Sequence, residues 1–78
     1  MRRLHLNELK PETEATVLSI EGGHAAGRRL ESLGIRPGVR IKKISKHFWQ
    51  GPVTVLVKKT KIAIGHGMAE KVIVEVER

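Results

Sequence analysis

Apolar and polar positions alternate along most of this chain, with one interruption by a helical period. Thr16-Val17-Leu18-Ser19-Ile20 reads as a strand, its side chains pointing to opposite faces in turn, and Gly22-Gly23 ends it. Upstream, Leu4, Leu6 and Leu9 form a short apolar anchor. Asn7 is placed to cap a single turn that stops at Lys10-Pro11. Over residues 24–33 the period changes: Ala26, Leu30 and Leu33 sit at i, i+4 and i+7, one stripe of a helix of about ten residues. Arg28, Arg29, Glu31 and Ser32 fall off that stripe, toward solvent. Leu33 is expected to close the core, and Gly34 to take the left-handed residue that ends the helix, with Pro37 soon after.

After Arg36-Pro37-Gly38, a type II turn signal, the period returns to two. Val39 and Ile41 share a face, but the next apolar residue is Ile44, so the alternation slips by one. A bulge near Lys42 or Lys43 is expected. A loop runs from Lys46 to Gly51, and Pro52 opens a strand in which Val53, Val55 and Val57 alternate with Thr54, Leu56 and Lys58. Lys59-Thr60 makes a tight connection to Ile62 and Ile64. Gly65 is read as the point of a sharp bend, Met68-Ala69 as one helical turn, and Val72, Val74 and Val76 as one face of the last strand. The sum is an all-β domain, residues 1–78, of about five short strands with one helix between the first two. The economical way to bury Val17, Ile20, Val39, Ile41, Val53, Val55, Ile62, Ile64, Val72 and Val74 is a small, partly open barrel.

Charge adds a partner to this picture. Fifteen Lys and Arg against eight Asp and Glu give a net charge of +7, which favours an anionic partner: an acidic protein face, a lipid surface or nucleic acid. Phe48 and Trp49 are the only aromatic residues, too few for the stacking platform of a single-strand binder. No apolar run approaches the roughly 20 residues of a membrane helix, and no signal segment develops after Met1-Arg2-Arg3-Leu4, so a cytoplasmic protein is expected.

Candidate chemistry is sparse. The chain has no cysteine, which removes disulfides, thiolate metal sites and cysteine nucleophiles. His5, His24, His47 and His66 show no helical metal-pair spacing; His24 with Glu21 is the best of the pairs, and no metal site or cofactor is assigned. Ser19, Ser32 and Ser45 have no evident His and Asp partners, and Gly22-Gly23 lacks the ending of a phosphate loop, so no enzymatic activity is expected. The segment Lys46-His47-Phe48-Trp49-Gln50-Gly51 sets two large aromatics beside basic groups, either as a lid on the barrel or as an anchor for a partner. The remaining cations fall in groups: Arg2-Arg3, Arg28-Arg29, Arg36 with Arg40, Lys42-Lys43 with Lys46, and Lys58-Lys59 with Lys61. If the hairpin lysines and Arg40 converge, they make a docking surface.

Val17 through Ile20 with Gly22-Gly23, then Arg29-Leu30, Leu33-Gly34-Ile35 and Pro37-Gly38, then Gly51-Pro52-Val53, Ile62-Ala63-Ile64-Gly65 and Ala69 ahead of Val72-Ile73-Val74 arrive in an order that resembles the ferrous iron transport protein A (FeoA) family. The resemblance implies an SH3-like barrel with an inserted helix. It also implies a cytosolic accessory protein of ferrous iron uptake, partnered by a large membrane transporter that carries a cytosolic G domain. On that reading Phe48 and Trp49 are candidate anchors and Arg28, Arg29 and Arg36 steer the encounter; contact with the membrane surface is indirect. The alternatives are a small basic barrel that binds nucleic acid, a metal-responsive regulator relying on His24, and pairing of two copies through an exposed edge strand.

Overall fold

The strands bury every second side chain and so define one inner face. The computed structural model describes residues 1–44 and 51–77. The elements run β1 (Arg2–His5), a 3₁₀ turn (Leu6–Glu8), β2 (Glu14–Ile20), α1 (Gly23–Ser32), β3 (Arg40–Lys43), β4 (Val53–Val57), β5 (Thr60–Ile64), α2 (His66–Ala69) and β6 (Val72–Val76). All pairings are antiparallel, in the order β1-β6-β2-β3-β4-β5. Ala15, Val17, Ile41, Val53, Val55, Val57, Ile64, Val72, Val74 and Val76 meet in one cluster from strands across this order, with Leu6, Leu9, Leu30, Ile35 and Ala69 closing its ends. Each fully buried Val, Leu or Ile contributes about 1.5–3 kcal/mol. The sheet curls around this cluster as a partly open barrel with β1 and β5 as its edges.

The mostly-β architecture expected from the pattern is present, with one strand more than the five anticipated. Arg2–His5 pairs with β6 in register Arg2↔Val76 to His5↔Ile73, so the apolar anchor begins as an edge strand and the helix falls between β2 and β3. The following turn is organised by His5 and not by Asn7. The His5 backbone N–H donates to Glu8 Oε1 (2.8 Å), and its ring Nδ1 lies 2.6 Å from the Glu70 carbonyl oxygen. A carbonyl only accepts, so Nδ1 carries the proton in that contact.

The expected bulge near Lys42 or Lys43 is not there. β3 and β4 pair without interruption, Ile41↔Val57, Lys42↔Leu56, Lys43↔Val55, and the Ile44 N–H continues the pairing to the Thr54 carbonyl at 3.0 Å. The apparent slip arises because Lys43 itself occupies the inward position, at 1% exposure. Its ammonium donates to the carbonyl oxygens of Leu9 (2.6 Å) and Asn7 (3.0 Å), which makes burial of the chain's stem possible. The register irregularity that exists lies in β2, between Val17 and Ser19 opposite β6.

The helix stop at Gly34 is found, but Leu33 does not close the core. Gly34 has φ +92°, its N–H donates to the Glu31 carbonyl (2.9 Å), and the Ile35 N–H donates back to the Leu30 carbonyl (3.0 Å). This pair of bonds is a Schellman stop, whose apolar contact joins the third residue from the helix end to the second beyond the cap. Leu30 and Ile35 therefore fill the core at 0% exposure, while Leu33, between them, is 41% exposed. The Arg36–Val39 turn follows, with Gly38 at φ +91° and the Val39 N–H donating to the Arg36 carbonyl at 3.1 Å, as a type II turn requires. Gly65 makes no bend that needs glycine: its φ of −63° and ψ of 153° suit most residues.

Candidate functional site

The Schellman stop has a consequence at the surface. It sets Leu33 on the rim of the barrel opposite the edge strand β5. Two clefts meet at Leu33. One, of about 380 Å³, is bounded by Gly34, Arg36, Val39, Val57, Lys58, Thr60 and Ile62. The other, of about 240 Å³, is bounded by Arg29, Leu30, Ala63, Ile64, Gly65 and Met68. Together they follow β5 along its whole length. The half-buried Val39, Ile62 and Met68, packed against the core, make the floor apolar. Apart from Met1, Leu33 is the only large apolar side chain exposed among the described residues.

Arg36 and Lys58 are the charged residues of the first cleft and Arg29 that of the second, with no carboxylate among the lining groups. Among the described residues these three cations form no ion pair. The cations of β3 behave differently. Arg40 binds Glu14 at 2.8 Å, and this partner holds the Glu14 carboxyl below its ordinary value and raises Arg40. Lys42 lies 3.3 Å from Glu12. Burial lowers the Lys43 ammonium from the usual lysine range. Of the hairpin lysines, Lys58 does come beside Arg40 and Lys42, around a cleft that Glu14 also lines. The expected docking surface thus forms in part and is partly neutralised, while Arg29, Arg36 and Lys58 border the clefts at Leu33.

Of the residues singled out from the sequence, Arg28, Arg29 and Arg36 are exposed, and the structure brings Arg29 and Arg36 to the two clefts that flank Leu33. Arg28 borders neither. Phe48 and Trp49 lie outside the described residues. Leu33 and Ile62 were missed as site residues, whereas Lys58 stood among the hairpin lysines offered as a docking surface. The turn lies at Lys58-Lys59, one residue before the expected Lys59-Thr60, and Lys58 holds φ +58° where such turns favour Asn or Gly. Among the described residues no three His, Asp or Glu side chains come together as a metal site would need. His24 and Glu21 are exposed, and His66 Nε2 stands 3.6 Å from Glu70 Oε2 as an i, i+4 pair. No described helix is long and apolar enough to cross a membrane.

The fold is a small SH3-like barrel, mostly antiparallel strands with one short helix, and two of its surface clefts are apolar and rimmed by cations. Residues 4–76 match the FeoA domain. The chain belongs to the FeoA family. It is 41% identical over 66 residues to Fe(2+) transport protein A of Methanocaldococcus jannaschii, covering 85% of this chain and 78% of that relative. The crystal structure of an iron uptake regulatory protein, FeoA, superposes with a TM-score of 0.87 at 33% identity, over 96% of this chain and 97% of that one. The zinc complex of Stenotrophomonas maltophilia FeoA, an SH3 domain protein, superposes with a TM-score of 0.79 at 32% identity, over 92% and 89%.

Proposed function

We propose that this chain is an accessory protein of ferrous iron uptake that docks on the cytoplasmic part of a ferrous iron transporter and acts by contact, without chemistry of its own. Membership of the FeoA family supports the transport context. The observation that carries the docking role is Leu33, a large apolar side chain 41% exposed at the C-terminal cap of α1, between two clefts rimmed by Arg29, Arg36 and Lys58. With 41% of its surface in water, a partner that covers it recovers roughly 1 kcal/mol of burial. The cations lengthen the reach of the encounter and orient it. Phe48 and Trp49, read from the sequence, remain candidate anchors, and Arg28 a steering charge.

The test is co-purification of a ferrous transporter's cytosolic G domain with the wild-type chain, Leu33→Asp and Trp49→Ala. Wild type retains the domain and Leu33→Asp loses at least tenfold. Equal recovery with Trp49→Ala removes that residue from the contact. A folded wild-type chain that retains nothing overturns the role.

A further inference from the structure

β5 ends the sheet, so one side of its backbone has no strand partner among the described residues. An open edge is a template for another strand, and no bulge twists this one away: β4 and β5 pair in unbroken register from Val53↔Ile64 to Val57↔Thr60. The clefts on either side of Leu33 run beside this same strand, one reaching Thr60 and Ile62 and the other Ala63, Ile64 and Gly65. A five-residue strand is about 17 Å long, so the trough suits an extended peptide of similar length. The floor is apolar at every second position, as Ile62 and Ile64 face inward while Lys61 and Ala63 are exposed.

The charge specifies the occupant. Arg29, Arg36 and Lys58 border the clefts, Lys59 precedes the strand and Lys61 lies in it, exposed, with no acid in the lining. A second copy would bring another net +7 against the same rim, which argues against self-pairing. Lys58 breaks a local rule to be there. Its φ of +58° is one that Gly adopts without strain and lysine does not, so the turn retains a cation where backbone preference disfavours it.

We infer that the β5 edge and its flanking clefts receive an extended, acidic segment of the partner, which adds as a strand to β5 and sets an apolar side chain against Leu33 and Ile62. Main-chain hydrogen bonds supply affinity, the clefts select alternate apolar residues, and the rim selects acids. This rests on the docking role proposed above, and two measurements separate them.

The probe is a synthetic, end-blocked peptide alternating glutamate with valine and leucine, titrated into the ¹⁵N-labelled full chain. The amide shifts fall on residues 60–65 and 33–39. Raising salt from 50 to 500 mM weakens binding about tenfold, as the rim charges are screened. Arg36→Glu with Lys58→Glu weakens it by more than tenfold, and so does Leu33→Asp, which alters an exposed position. The same peptide with lysine for glutamate does not bind. Shifts centred on β1, equal binding of the lysine peptide, or concentration-dependent dimerisation abolished by Leu33→Asp each overturn the inference. The second measurement is transporter recovery. If Leu33→Asp loses the transporter domain while the acidic peptide shifts no amide of β5, the docking role stands and the β5 trough falls. If the acidic peptide maps to β5 while wild type retains no transporter domain, the trough stands and the transporter is the wrong partner.

Discussion

The Lys43 ammonium donates a 2.6 Å hydrogen bond to the carbonyl oxygen of Leu9 and a 3.0 Å bond to that of Asn7, which ties the inner face of β3 to the turn after β1. The tie is reinforced by backbone bonds between the same segments, Glu12 N–H to the Lys43 carbonyl and Lys43 N–H to the Thr13 carbonyl at 3.1 Å. A cation in this position holds the N-terminal segment over one end of the barrel, where Leu6 and Leu9 are buried.

Replacing Lys43 by Ala leaves two carbonyls without their donor and a cavity in the core. A loss of about 3–5 kcal/mol is expected in urea denaturation. Lys43→Met keeps most of the volume and removes the buried charge, so it loses less, about 1–3 kcal/mol. The pH dependence has a definite sign. Burial lowers the Lys43 pKa from its ordinary 10.5, so between the folded value and 10.5 the unfolded chain binds more protons than the folded one. The charge penalty is fully present below the folded pKa and disappears as pH rises toward 10.5. The stability of wild type relative to Lys43→Met therefore increases with pH in that alkaline window. A difference that stays flat or shrinks there contradicts this account.

Glu14 and Arg40 show the opposite sign. Hydrogen bonding and attraction from Arg40 hold the Glu14 carboxyl below its ordinary 4.5, so the pair's contribution is present above that value and is lost as pH falls through the lower folded value. Both groups are exposed, so the effect is small and screened by salt. A double-mutant cycle with Glu14→Gln and Arg40→Gln should show a coupling that shrinks both at high salt and in acid.

Leu33 and Ile35 differ by two positions and should differ sharply in consequence. Ile35→Ala removes a side chain with no exposure and is expected to cost about 2–5 kcal/mol. Leu33→Ser changes a side chain that is 41% exposed and should stay within roughly 1 kcal/mol of wild type in thermal melts while reducing partner binding. Equal destabilisation by both would return Leu33 to the core.

Two glycines separate in the same way. Gly34 holds φ +92°, so Gly34→Ala should destabilise by roughly 1–2 kcal/mol even though a Cβ would meet only Val57 Cγ1 at 3.6 Å. Gly27 lies inside α1 with nothing within 4 Å of a Cβ, so Gly27→Ala should stabilise by about 0.5–1 kcal/mol. Chemical denaturation of both variants checks the pair.

Local patterns account for much of this molecule. Alternation marks β4 and β6 residue by residue, because a half-buried strand repeats every two positions. The ten residues of α1 and its stop at Gly34 follow from a 3.6-residue period and one left-handed position, both short-range properties of the chain. The family likeness was carried by the same turns and core positions. The extra strand β1 escaped notice because Arg2 and Arg3 look like a solvated tail until β6 is there to pair with them.

Lys43 and Leu33 mark where such patterns stop. A lysine reads as outward and a leucine on a helical stripe as inward, but burial is settled by what the neighbouring elements offer. Two carbonyls from the turn after β1 let the ammonium go inside, and Ile35, returned by the Schellman stop, already fills the space Leu33 would have taken. The cleft beside β5 likewise exists only once strands far apart in the chain have paired, since Arg29, Arg36 and Lys58 share no local motif. Short-range periodicity writes the elements and their ends into the chain; which side chains meet across them is decided by long-range packing, whose geometry no local window contains.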